Sequence, residues 1–339
     1  MIYAPQPIQP TTNNSSQVQQ SLKTDLSGLS DQSVGDYFRS LTLRHYIQTV
    51  IQTNESTGIT TDVSVIDLQS QKSIVNHNGD TEQFAASVNK VPIAQLILND
   101  LRAGKLQFDQ QLTWAASDVR AGAGTYDQPG APLQASVKDV LFDLLNPSGN
   151  TAVRVLVNHA LGGAATVNSR FTNELHLHHT YLQPLTGTSF YVGNTTANDA
   201  MTNIQRLLSS NDQYQKFVKN ALATNIYTDY GVRSQLAGND YIVLANKVGI
   251  LDDPDGNNRH DVGIIYNTST HKSYAYAFLN TAHGEAYNTA TAQAGISLAS
   301  MGKASLRFAG DTPHSAAMAS DVPETYTTLK TTPELRITY

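Results

Sequence analysis

Phe84-Ala85-Ala86-Ser87-Val88-Asn89-Lys90-Val91-Pro92 opens a helix whose apolar residues, Val91, Ala94, Ile97 and Leu101, recur at helical spacing until Gly104 stops it. Ser87 and Lys90 stand at i and i+3, where Cβ atoms on a helix lie about 5–6 Å apart. A serine hydroxyl is a weak nucleophile until a base takes its proton. A lysine can be that base when burial and nearby charge lower its pKa. The helix N-terminus adds backbone N–H groups suited to a developing oxyanion. The same pair recurs as Ser269/Lys272 and Ser300/Lys303, so spacing by itself does not single out Ser87.

Outward from this segment the hydrophobic pattern switches between helix and strand periods. Leu43, Tyr46, Ile47, Val50 and Ile51 share one helix face, and Val63 and Val65 alternate with polar residues over Thr61–Leu68. From Leu106 to about Ala223 the periods are helical and no strand is expected. Tyr241–Ala245, Asp261–Asn267 and Ser273–Leu279 read as short strands, followed by a helix from about Glu285 to Met301. This order predicts an α+β fold: an antiparallel β-sheet assembled from both ends of the chain and flanked by helices, plus an all-α subdomain. The expected boundaries are a linker over 1–35, a folded domain over 36–302 and an irregular extension over 303–339. Within the domain, 36–80 and 225–302 carry the sheet and 81–224 the helices.

Composition narrows the function classes. Of 339 residues, 40% are hydrophobic and 15% charged, which suits a globular body with a large core. A net charge of −6 without a basic block argues against nucleic acid as a partner. The absence of cysteine removes disulfides, thiolate metal sites and cysteine nucleophiles together. His176, His178 and His179 crowd one short stretch, and Asp252, Asp253 and Asp255 read as a solvated turn, so neither metal nor cofactor is expected. No run reaches the roughly 18 apolar residues of a membrane span. Pro5, Pro7 and Pro10, followed by Thr, Asn, Ser and Gln, have linker composition. Linkers of this kind tether extracytoplasmic domains, so an extracytoplasmic monomer is expected, touching a membrane only through an anchor outside this sequence.

Two more short motifs accompany Ser87. Ser148-Gly149-Asn150 follows a loop that leads into a helix, and Lys247-Val248-Gly249 ends the strand Tyr241–Ala245. Ser-x-x-Lys, Ser-x-Asn and Lys-x-Gly in this order resemble the penicillin-recognising serine enzymes, the class A β-lactamases and penicillin-binding proteins. The likeness spans about residues 36–302, and Arg259–Tyr266 resembles the strand after the Lys-x-Gly turn. The resemblance implies a cofactor-free serine hydrolase that forms an acyl-enzyme with a small-molecule β-lactam or a peptidoglycan stem peptide. Ser87 would be the nucleophile, Lys90 its base, Ser148 the proton relay, and Lys247 a positive charge beside Ser148 and the substrate carboxylate. Asn150 would bond the substrate amide. Gly249 would let substrate lie along the strand edge, and the N–H groups of Ser87 and Ile250 would form the oxyanion hole.

Four positions depart from the family pattern. Gly149 stands where β-lactamases usually carry Asp, a change met among D-alanyl-D-alanine peptidases. Val248 replaces the usual Thr or Ser and removes a hydroxyl donor, for which Arg259 is the expected compensator. Gln183, in Tyr181–Leu185, occupies the place of the glutamate that activates the deacylating water. An amide cannot act as a general base. Glu174 is the one carboxylate between Thr151 and Asn198 and so the remaining candidate, earlier in the chain than the motif demands. The fourth departure is the polar, acid-rich turn expected over Leu251–Asn258. Acylation with slow deacylation is therefore expected, the rival being a non-catalytic module that senses or binds wall fragments. A cytoplasmic esterase on the same fold is a third reading.

Overall fold

The computed structural model describes residues 44–45, 47–184, 191–227, 231–235, 241–253, 256–268 and 270–283. All of them fall in the unit Leu43–Tyr339. The linker expected over 1–35, the helix near 285–301 and the extension over 303–339 lie outside the described residues.

Helix α1, over 47–56, leads into strands β1 (Ile59–Asp67), β2 (Ser73–His77) and β3 (Gln83–Phe84). A 3-10 turn over Ala86–Asn89 runs into helix α2 (Lys90–Arg102). Strands β4 (Gln111–Thr113) and β5 (Gln134–Ser136) precede helices α3 (Val137–Leu145), α4 (Asn150–Val155) and α5 (Ala164–Asn173). Strands β6 (Tyr181–Pro184) and β7 (Tyr191–Thr195) come next, then helices α6 (Ala197–Leu207), α7 (Gln213–Ala223) and α8 (Gly231–Gln235). Strands β8 (Tyr241–Asp253), β9 (Gly256–Asn267) and β10 (Lys272–Ala282) finish the described part.

Period-two alternation builds the layers. In β10, Tyr274, Tyr276 and Phe278 join one apolar cluster, and Ala275, Ala277 and Leu279 join another on the opposite face. Ile264 and Ile265 of β9 divide in the same way. The main sheet has the order β2-β1-β10-β9-β8 with every neighbour antiparallel, so strands from both ends of the chain meet in it, as the pattern predicts. Ile47 and Ile51 of α1 cover one face. The larger cluster on the other face centres on α2, whose Val91, Ile93, Leu96, Ile97, Leu98 and Leu101 are all buried. A helix apolar on every side belongs at the centre of a domain. Each such side chain contributes about 1.5–3 kcal/mol by leaving water. The segment carrying Ser87 is therefore attached to a helix buried on nearly every side.

Two expectations need correction. The part between Leu106 and Ala223 is not purely helical: β4 pairs with β5, and β6 pairs with β7, which also holds β3. These strands run two to five residues, too short for a period-two signal to emerge. Strand β8 also continues well past Ala245, through Lys247-Val248-Gly249 to Asp253, and β9 starts at Gly256, so the turn expected over Leu251–Asn258 is narrower than that range; its Pro254 and Asp255 lie outside the described residues. Asn257 and Asn258, placed in that expected turn, are buried inside the hairpin, as is Asn246. Asn246 donates to Asp261 and accepts from Asn225, and Asn258 accepts from Thr281. Partnered amides are tolerated in a strand that an unpartnered polar pattern would disfavour.

Candidate functional site

Ser87 lies in the 3-10 turn just ahead of α2, not within the α-helix itself. The preceding Ala86 has a φ of 45°, a left-handed backbone that a non-glycine residue adopts only under constraint. The constraint is visible on both sides of the turn. Ala85 N donates to Gly193 O at 2.8 Å, and Asn89 Nδ2 donates to Tyr181 O at 3.3 Å. From the main sheet, His260 Nε2 bonds Phe84 O at 2.6 Å. His260 Nδ1 accepts the Asn280 amide at 3.0 Å, so the ring hydrogen is on Nε2. Burial above all pushes the His260 pKa down to about 4, which keeps this tether neutral.

Lys90, 3% exposed, is the hub of the site. Its Nζ lies 3.0 Å from Ser87 Oγ, 2.9 Å from Ser148 Oγ, 2.6 Å from Ser148 O and 3.1 Å from Asn150 Oδ1. Burial brings its pKa down to about 7, against the charges of Asp127 and Asp143, which raise it. A neutral amine offers one lone pair into which a hydroxyl can donate.

Ser148 and Asn150 reach this hub from the loop between α3 and α4. Ser136 caps α3 by accepting the Asp139 amide. Beyond its C-terminus, Asn146 Nδ2 donates to Ala221 O and Thr224 Oγ1, both at 3.1 Å, which pins the loop to α7 and its end. Ser148 itself has a φ of 66°. Asn150 opens α4; its Nδ2 donates to Ala121 O at 2.8 Å.

Strand β8 forms the facing wall. Lys247 is 1% exposed; its Nζ donates to Val248 O at 2.8 Å and stands 5.7 Å from the centre of the Tyr227 ring. Burial, and then the positive charge of Lys90, hold its pKa well below the ordinary lysine value. A Cβ on Gly249 would meet Val88 Cγ2 at 3.1 Å, His260 Cβ at 3.2 Å and Ala85 O at 3.3 Å, so glycine lets the strand press against the Ser87 turn. Between these parts lies an open cleft of about 270 Å³. Ser87, Ser148 and Asn150 supply its polar atoms, while Ala86, Gly122, Ala123, Tyr227, Val248, Ile250 and Leu251 form the rest of the lining.

Three residues expected to serve the cleft are placed elsewhere. Arg259 pairs with Ile250 inside the β8–β9 ladder, and its Nη1 donates to Asn258 O at 2.9 Å and Leu251 O at 3.4 Å. It does not line the cleft, because β9 starts at Gly256 and puts residue 259 within the hairpin. Gln183 sits exposed on β6, opposite Val192, and also lies off the cleft. Glu174 closes α5, where it accepts from Asn99 Nδ2 and Arg170 Nε, each at 2.7 Å. Partial burial pushes its pKa up, but those two donors outweigh it and hold the carboxyl below its usual range. The sequence reading missed Asp127 and Asp143, whose carboxylates lie against Gly122, Gly124 and Gly149. The clustering of these glycines around Ser148 was the one available signal.

Residues 42–302 match the sequence model of the β-lactamase enzyme family. No curated protein sequence matches the chain. Among solved structures, a β-lactamase from Sphaerobacter thermophilus is 19% identical and aligns over 80% of this chain and 99% of its own, with a TM-score of 0.64. A variant of PBP-A, in an acyl-enzyme complex with penicillin G, is 20% identical over 78% of this chain and 96% of its own, with a TM-score of 0.65. A class A β-lactamase from Mycobacterium abscessus is 20% identical over 78% of this chain and 98% of its own, at 0.63. At such identities the structural likeness is one of fold, and the fold is that of the class A enzymes. The sequence match covers well over half of the chain, which therefore belongs to the β-lactamase enzyme family.

Proposed function

We propose that Ser87 is the nucleophile of a β-lactamase-like serine hydrolase and forms an acyl-enzyme with β-lactams or D-alanyl peptides. The observation that carries this reading is a single nitrogen, Lys90 Nζ, within hydrogen-bond distance of both Ser87 Oγ and Ser148 Oγ. Neutral Lys90 takes the Ser87 proton as Oγ bonds the substrate carbonyl carbon. The proton then passes through Ser148 to the leaving nitrogen as the C–N bond breaks. Asn150 bonds the substrate amide, and the backbone N–H groups of Ser87 and Ile250 hold the oxyanion, each such donor being worth about 2.7–4 kcal/mol. Gly249 lets β8 lie close against the Ser87 turn beside them. Lys247, behind the wall, acts on Ser148 through its charge rather than by touching substrate.

Deacylation is the weak step. Gln183 has no basic atom, and Glu174 is engaged with Arg170 and Asn99. The ester therefore accumulates. Because a PBP-A variant holds penicillin G as an acyl-enzyme, penicillin G is the natural probe. Intact-mass analysis should show one penicilloyl adduct that Ser87→Ala abolishes, with turnover too slow to clear it. Labelling of Ser87→Ala, or no adduct and no hydrolysis, would reject the assignment. Val248 at the cleft wall favours a second reading, a wall-fragment or β-lactam binder. Ligand-dependent melting without a mass shift would decide for it. The linker-like composition of residues 1–35 supports action outside the cytoplasm, on cell-wall peptides, as a tethered or secreted monomer.

A further inference from the structure

Beneath the Ser148-Gly149-Asn150 loop lie two acids that no motif contains. Asp143, in the last turn of α3, is 2% exposed. Its Oδ1 accepts the Thr125 amide at 2.6 Å, while its buried Oδ2 has no hydrogen-bond partner. That oxygen occupies the space above which Gly149 sits: a Cβ on Gly149 would lie 2.0 Å from it, and one on Gly124 2.7 Å. Gly149 has φ −57° and ψ 131°, a backbone open to any residue, so packing and not conformation demands glycine there. Asp127 completes the arrangement. Its carboxylate takes the amides of Gly124 at 2.8 Å, Asn150 at 3.0 Å and Thr151 at 2.7 Å. The two acids thus join the segment before β5, the end of α3 and the start of α4, the pieces that frame Ser148 and Asn150.

A buried carboxylate oxygen without a donor is costly unless opposite charge compensates it. The opposite charge here is Lys90, and the attraction is mutual: Asp143 favours the protonated amine and Lys90 favours the ionised acid. Burial pushes the Asp143 pKa up to about 6, and the charge of Lys90 works against that rise. The other ionisable groups facing the pair are Asp127, Lys247 from β8 and Tyr126, whose own pKa is raised to about 12 by burial and by the charges of Asp139 and Asp143.

We propose that Asp143 is a positioning carboxylate for Ser87 and Lys90: from α3 it fills the place a side chain at residue 149 would take, and it holds the charge of Lys90. The inference rests on the acyl-transfer reading for its effect on rate, but not for its effect on Lys90.

The test follows Lys90 directly, by NMR titration of the free full-length chain carrying 13C at lysine Cε, with Lys90→Ala to identify the signal. Asp143→Asn keeps shape and removes charge, so the Lys90 midpoint should fall by at least about half a pH unit. An unchanged or higher midpoint overturns the proposal, because a purely structural role would leave it in place. A reciprocal swap guards against a variant that fails to fold. Gly149→Asp alone should lower the melting temperature sharply, whereas Asp143→Ala combined with Gly149→Asp should recover most of it and restore the midpoint. A double variant no better than Gly149→Asp overturns the idea equally. Rates of labelling by a fluorescent penicillin should shift their acid limb in step with the midpoint. No labelling at any pH would sink the acyl-transfer reading and leave the lysine titration to judge Asp143.

Discussion

Lys90 can take the Ser87 proton only when it is itself deprotonated. With its pKa lowered to about 7, the neutral fraction climbs about tenfold between about pH 6 and about pH 8. The rate of penicillin labelling should rise by that factor over the window and then level off. Lys90→Arg retains a cation but no usable lone pair near neutral pH, and should slow labelling by about 10²–10⁴-fold. Rates measured across the pH series on both proteins, with circular dichroism to verify folding, check this. At this scale the sequence was partly legible. Helical spacing placed Ser87 beside Lys90, and motif order pointed to Ser148 and Lys247, which the fold brings to the same cleft region. Side-chain direction was not legible: Arg259 turns back onto the Asn258 and Leu251 carbonyls. Asp127 and Asp143 were hidden because no motif contains them and their importance emerges only when the segment before β5 packs on the loop between α3 and α4.

Among the elements, the contact between β8 and the turn Ala86–Asn89 constrains the position of Ser87. Gly249→Ala would push on Val88 and Ala85, which flank Ser87 on its inner side. Overpacking of this kind costs about 1–3 kcal/mol. We expect a fall of a few degrees in melting temperature but a loss of labelling rate of about tenfold or more, since the turn moves before the sheet does. Scanning calorimetry beside a labelling time course separates the two; a stable variant with normal labelling would show that the contact does not position Ser87. The elements differed in how plainly their residues announced them. α2 was readable because its apolar period runs unbroken from Val91 to Leu101. The end of β8 was not, because Asn246 and Asn258 find partners only once the sheet and the segment after α7 are assembled.

At the scale of the whole molecule, the buried lysines give stability an unusual pH dependence. Lys90 has a folded pKa of about 7 against an ordinary value of 10.5, and Lys247 is shifted in the same direction. The unfolded chain therefore binds more protons between these limits, and stability rises with pH across that window, being fully present above the unfolded value and lost as pH falls through the folded one. Each lysine contributes a slope of up to about 1.4 kcal/mol per pH unit. Urea unfolding at about pH 7.5, 8.5 and 9.5 should show stability increasing, and Lys90→Met should flatten the trend whatever it does to the absolute value. A flat wild-type profile would mean that Lys90 keeps an ordinary pKa in the folded protein.

Strand β8 lies at the margin of the five-stranded sheet, with thirteen residues and only β9 as its neighbour in the order. Long unprotected margins invite other chains to zip on and grow into aggregates. Here the segment bearing Ser87 packs on the face of the sheet at Gly249, next to that margin. The Ser87 turn thus braces a strand that has no partner beyond β9 among the described residues, and loosening that brace to admit bulkier molecules would also loosen a template for fibril growth.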